Sequence, residues 1–305
     1  MVAGALVFAL LLYFEFAASK SRVDPVGAVL SADPGWALLG VLAMVASYPA
    51  ATLGFLGFVP ERIGFARAGL AQLAGSFVKL VAPSGLGGMA LNTRLLLRAG
   101  VAPGPAASSV GAGQLIGLLL HLLQLAFFLW LTGFHPDQES DGDGELAVLG
   151  GAGVLLTVVL VLLAVPHWRR WALGRLRPLT EGSLTRLRDL ARHPRHLAVG
   201  VLGQLLVSMT LAACLYSCVR ATGGDARFAT VAVAFLLGNA LGSTAPTPAG
   251  VGGVEFATAT LLTATSGLDG TRAAAAVVLF RLITVVLPVL PGWAALGILQ
   301  RRQAV

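Results

Sequence analysis

Charge is what this chain has least of. Only 11% of its 305 residues are Asp, Glu, Lys or Arg, against 56% apolar, and mean hydropathy is +0.83. Water-soluble domains carry about one quarter charged residues, so a soluble fold is excluded and residence in a membrane is implied. Acid is scarcest: of fourteen acidic residues only Glu15 and Glu255 fall inside apolar stretches, while five crowd between Asp137 and Glu145. Cysteine is nearly absent as well. Cys214 and Cys218, four apart, share one face of an apolar helix and read as small packing residues. There is no C-x-x-C, zinc spacing, P-loop or nucleotide-binding glycine motif, so no metal and no cofactor is expected. His121 is the one histidine in a spanning segment, and no carboxylate pair or Ser-His-Asp set falls on one face, which speaks against an enzyme. A net charge of +7 does not indicate nucleic acid, because the basic residues flank the membrane segments, where anionic lipid attracts them.

Long apolar runs are what the chain does have. Trp36 to Phe58, Ala106 to Leu131, Leu146 to Val165, Leu197 to Cys218 and Ala273 to Leu299 are each long enough for a hydrocarbon layer that needs about 20 helical residues. Val2 to Ala18 is a marginal sixth. Its reading as an anchor competes with that of a secretory signal, since Phe16-Ala17-Ala18 resembles a cleavage site; no basic residue precedes the run, which favours the anchor. The connection 166–196 holds eight arginines against Glu181 and Asp189, and the connection from Thr132 to Glu145 holds five acids and no Lys or Arg. The basic connection therefore faces the cytoplasm, which places Arg94, Arg98, Arg301 and Arg302 inside and both termini in the cytoplasm of a multi-pass protein of the cell membrane. Leucines at every third position of the basic connection suggest short helices lying on the membrane surface.

Two stretches match. Pro83-Ser84-Gly85-Leu86-Gly87-Gly88 and Pro248-Ala249-Gly250-Val251-Gly252-Gly253 are 165 residues apart. Downstream, Gly100-Val101 corresponds to Gly267-Leu268, Ala106-Ala107 to Ala273-Ala274, and Gln114 to Arg281, at an offset of 167. The chain is one domain, 1–305, with repeat A over about 36–131, repeat B over about 197–299 and a cytoplasmic basic loop at 166–196. Proline removes a donor and glycine admits positive φ, so each helix breaks at its motif, and the apolar run that follows is too short to cross. Both motifs read as re-entrant hairpins inserted from opposite faces, and irregular backbone at that depth must line a buried polar cavity. The fold expected is all-α: about six transmembrane helices plus two re-entrant helical hairpins in an inverted repeat.

Glu255, next to the second motif, and Arg281, in the last span, each cost about 2.5–3.5 kcal/mol at membrane depth, which makes them candidates for an ion pair or a substrate site. Lys79 ends the first hairpin arm, where a cation meets the negative helix end and can hold a phosphate. Arg94 and Arg98 share a face near the cytoplasmic interface, suited either to an anionic headgroup or to snorkelling. Gln72, Gln114, His121, Asn239 and Gln204 read as makers of interhelical hydrogen bonds.

The stretches Phe77 to Gly88 and Pro246 to Glu255, with Arg281, Pro288 and Gly292, resemble the lysylphosphatidylglycerol synthase transmembrane region, a flippase-like family, over nearly the whole chain. The resemblance implies a lipid flippase module without the soluble aminoacyl-transfer domain, and it leaves room for a fused or associated soluble domain as a partner. Its cargo would be membrane lipids with anionic headgroups, polyprenyl-linked lipids among them. Members often carry an arginine where Gln114 stands. The substrate-binding set is then Lys79, Pro83, Gly85, Gly87, Gly88, Arg94, Pro248, Gly250, Gly252, Gly253, Glu255 and Arg281. The alternatives are a small-solute or ion transporter on the same plan, and a membrane partner subunit that transports nothing.

Overall fold

The computed structural model describes residues 27, 30–59, 63–81, 86–133, 192–242 and 252–305. Every element among them is helical: α1 Pro34–Leu56, α2 Phe65–Val81, α3 Leu86–Arg98, α4 Pro103–Leu131, α5 Pro194–Ala221, α6 Phe228–Gly242, α7 Gly253–Ser266, α8 Gly270–Arg281, a π-helical turn Leu282–Val286, and α9 Val289–Arg301. Four spans are long and apolar enough to cross a membrane: α1, α4, α5 and the continuous run Gly270–Arg301. They coincide with four of the expected crossings, and the protein is a polytopic helical membrane protein. The other two expected crossings, the acidic connection and nearly all of the basic loop lie outside the described residues.

The order long, short, short, long occurs twice. In the first half α1 and α4 bracket a hairpin of α2 and α3; in the second, α5 and the α8–α9 run bracket a hairpin of α6 and α7. Hairpin arms of 17, 13, 15 and 14 residues reach only about 20–25 Å at 1.5 Å per residue, short of a hydrocarbon layer of about 30 Å. The matched sequence positions behave alike. Gly100 (φ 87°) and Gly267 (φ 64°) end the two second arms in the left-handed region, and Ala106 and Ala273 are both fully buried.

The largest helix interface joins α1 to α5, the opening helices of the two halves, and it is antiparallel. Asp33 N donates to Ala221 O at one end (2.8 Å), while Gly57 lies on Gly200 at the other. Glycine makes this possible: a Cβ on Gly203 would stand 2.6 Å from Gly54 Cα and 2.8 Å from Ala50 O. Small residues of this kind let membrane helices approach backbone to backbone. Because α1 and α5 run in opposite directions, the hairpin that follows each one enters from the opposite face. The end that holds Pro34, Ala221 and Gly270 also gathers an aromatic cluster, with Trp36–Tyr216 at 6.1 Å, Tyr216–Phe228 at 5.6 Å and Phe128–Phe228 at 5.9 Å. It carries Asp33, Asp225 and Asp269 beside Arg220, Arg227 and Arg272, with Arg220 paired to Asp225 and Arg272 to Asp269. The opposite end carries Arg67, Arg94, Arg98, Arg192, Arg195, Arg301 and Arg302 and, among the described residues, no acid.

The halves also interlock. α9 lies across α2, where a Cβ on Gly292 would meet Leu73 O and Ser76 Oγ at 2.8 Å, and α4 lies against α6, where His121 Nε2 donates to Leu236 O at 3.1 Å. Each hairpin is thus held by the closing helix of the other half.

Candidate functional site

The two hairpins close to different degrees. In the second, α6 presents Gly238 and Gly242, four apart, to α7, and a Cβ on either would fall on the backbone of Thr258 or of Gly253 and Val254. The arms touch. In the first, the arms meet less tightly: a Cβ on Gly75 would stand 4.0 Å from Gly88 Cα, an ordinary van der Waals contact.

Between them, and walled by α1, α4 and α5, lies a cavity of about 330 Å³. From α2, Gln72, Gly75 and Lys79 face it, spaced three and four so that they share one side of the helix. From α3 come Gly88 and Asn92, four apart; Gln114 comes from α4 and Gln204 from α5. Gln72 Nε2 donates to Asn92 Oδ1 at 3.2 Å and ties the two arms. Lys79 occupies the last turn of α2, as expected of a cation at a helix C-terminus, and makes no ion pair among the described residues. Phe58, which is 1% exposed, lines the cavity toward the arginine-rich side. Its ring sits where α4 and α5 have glycine, and a Cβ on Gly113 would be 3.1 Å from it and one on Gly200 2.8 Å.

The second hairpin has an ion pair where the first has space. Arg281 Nε donates to Glu255 Oε1 at 2.6 Å, and Glu255 Oε2 accepts from Gly252 N at 2.7 Å. Gly252, at φ 91°, caps α7, so the carboxylate both completes the cap and neutralises the arginine. Side-chain exposures of 8% and 18% put the pair inside the protein. Arg281 is followed directly by the π-helical turn, in which Leu287 N reaches Leu282 O (2.9 Å) just before Pro288, whose ring cannot fit a regular α turn. Gln114 stands as far from the start of α4 as Arg281 does from the start of α8, and Ala90 takes the place of Glu255 in the first motif.

Of the residues singled out from sequence, Lys79 and Gly88 meet in the cavity, with Gly87 buried beside them; Gly252, Gly253, Glu255 and Arg281 meet at the pair. Arg94 is exposed on α3 and does not line the cavity. Pro83, Gly85, Pro248 and Gly250 lie outside the described residues. Gln114 and Gln204, expected to make interhelical hydrogen bonds, face the cavity instead, together with Gln72 and Asn92. The signal for Gln72 was its spacing of seven from Lys79, two turns along one face; nothing local pointed to Gln204, whose neighbours are brought in by the α1–α5 crossing. Cys214 and Cys218 are buried and free.

No protein of curated function matches this chain. A family does: the one described as the lysylphosphatidylglycerol synthase TM region matches residues 1–292. Since that match takes in both hairpins, the cavity and the Glu255–Arg281 pair, the chain belongs to the lysylphosphatidylglycerol synthase TM region family, a lipid-related family of membrane proteins.

Proposed function

We propose that this protein binds an anionic lipid headgroup in the cavity of the first hairpin and carries it between the two leaflets, and that it is not an enzyme. The observation that supports this is Lys79: a cation at membrane depth, in a polar cavity, with no acid beside it among the described residues. A charge so placed costs about 2.5–3.5 kcal/mol on insertion scales, and an anion in the cavity offsets that cost. At about 330 Å³ the cavity is at the lower end of small-molecule sites, enough for a headgroup but not for acyl chains, which stay in the lipid. The face bearing the seven arginines Arg67, Arg94, Arg98, Arg192, Arg195, Arg301 and Arg302 is cytoplasmic by the positive-inside rule, which puts the cavity nearer the inner leaflet and both termini inside.

Opposed broken-helix hairpins recur in secondary transporters, where one half rocks against the other around a site near the midplane. Here the interlocked contacts of α9 with α2 and of α4 with α6 couple such rocking to both hairpins. Exposure of the cavity to the other leaflet completes a cycle, and the headgroup shifts the balance only if it binds the two states differently.

The test is headgroup translocation in proteoliposomes with acyl-chain-labelled lipids. Transport by the wild-type chain and its loss in Lys79→Gln support the reading. Equal transport by both, or uptake of a soluble solute with no lipid movement, would sink it.

A further inference from the structure

The chemistry of the cavity narrows the cargo, given the reading of it as a headgroup site. Its polar side chains are one ammonium, Lys79, the carboxamides of Gln72, Asn92, Gln114 and Gln204, and the Ser109 hydroxyl. Among the described residues that line it, none is acidic. The one acid inside the described helical core, Glu255, is held by Arg281 and by the Gly252 amide, and Asp33, Asp225 and Asp269 sit at helix ends on the far face. A carboxamide offers both donors and an acceptor, so four of them suit hydroxyl or amide groups and supply no charge.

From this we infer that the cargo is a monoanionic phosphodiester lipid whose headgroup beyond the phosphate is neutral and rich in hydrogen-bonding groups, and that an aminoacylated lipid is rejected. The phosphodiester meets Lys79, while hydroxyls on the same headgroup meet the amides. An aminoacyl ester brings one or two ammonium groups into a space with no carboxylate among its described residues, beside Lys79, and like charges at low dielectric repel strongly. A lipid pyrophosphate brings two or more negative charges against one ammonium and leaves the excess uncompensated. In the second half, the positions matching Ala90 and Gln114 are Glu255 and Arg281, and there the charges cancel each other instead of awaiting a ligand.

The experiment reconstitutes the full chain in vesicles and compares four acyl-chain-labelled lipids: phosphatidylglycerol, its lysyl ester, a polyprenyl pyrophosphate and an uncharged glycosyl diacylglycerol. Phosphatidylglycerol is expected to move at least about tenfold faster than the other three, the equivalent of about 1.4 kcal/mol. Asn92→Asp, which keeps the acceptor for Gln72, is expected to raise movement of the lysyl ester and lower that of phosphatidylglycerol; Gln114→Glu serves as the second variant should the first not fold. Glu15→Gln, at the one other acid in an apolar stretch, is expected to leave the order unchanged. Movement of the lysyl ester or the pyrophosphate as fast as phosphatidylglycerol, or a changed order in Glu15→Gln, overturns this inference and leaves the reading of a phosphate-bearing headgroup standing, whereas equal movement of the neutral lipid overturns both. If none of the four lipids moves or binds, both readings fall.

Discussion

The Lys79 side chain passes directly over Gly88: its Cε lies 3.3 Å from where a Cβ at residue 88 would stand. Glycine at this place keeps the lysine extended along the cavity. The neighbour is the far end of a flexible chain, so Gly88→Ala should fold normally and turn the ammonium aside, whereas Gly88→Leu should fill the site. We expect lipid movement to fall about tenfold or more in Gly88→Leu, with a smaller loss in Gly88→Ala, and the thermal midpoints to stay near wild type; unchanged movement in Gly88→Leu would place the headgroup elsewhere.

Glu255→Gln retains a carbonyl to cap Gly252 N and removes only the charge, so it isolates the ion pair. Removing one member of a buried ion pair costs about 3–5 kcal/mol. Glu255→Gln and Arg281→Gln should each unfold early in detergent, and the double variant should be more stable than the sum of the two losses predicts. Strict additivity in that cycle would show that the two side chains do not act on each other.

The α1–α5 crossing should separate rigid from yielding neighbours. At Gly203 an added methyl meets the backbone of Gly54 and Ala50, which have no room to give; at Gly200 it meets the Phe58 ring. Gly200→Ala is expected to cost about 1–3 kcal/mol by overpacking, partly restored by Phe58→Leu, and Gly203→Ala more, with no rescue from Phe58→Leu. Thermal unfolding of the four variants would measure this, and an equal response to Phe58→Leu at both sites would contradict the packing described.

Opposite insertion of the hairpins can be read by chemical labelling. The natural thiols are buried, so Ala99→Cys, at the base of the first hairpin, and Arg227→Cys, at the base of the second, can serve as exposed reporters. An impermeant maleimide applied outside intact cells should reach residue 227 and miss residue 99. Labelling of both from the same side would refute the inverted arrangement.

Much of the architecture was already legible in the chain. Apolar runs of about 20 residues marked the four described crossings because a bilayer demands that length, and the two Pro-x-Gly-x-Gly-Gly motifs marked the hairpins because glycine and proline end helices wherever they fall. Glu255 and Arg281 stood out because charge is costly in lipid, and the repeat itself hinted at their relation to Gln114. Which hairpin would border the cavity was not legible. That depends on Gly238 and Gly242 drawing α6 onto α7, on a looser contact of α2 with α3 at Gly75 and Gly88, and on an α1–α5 crossing that carries Gln204 to a lysine 125 positions earlier in the chain. Local sequence determined where helices begin, break and cross, since those are matters of backbone hydrogen bonding and solvation along a segment. The cavity, and the difference between an arginine paired with an acid and a lysine with none beside it among the described residues, were decided only by how separate segments pack, because each depends on distances between atoms remote in the chain.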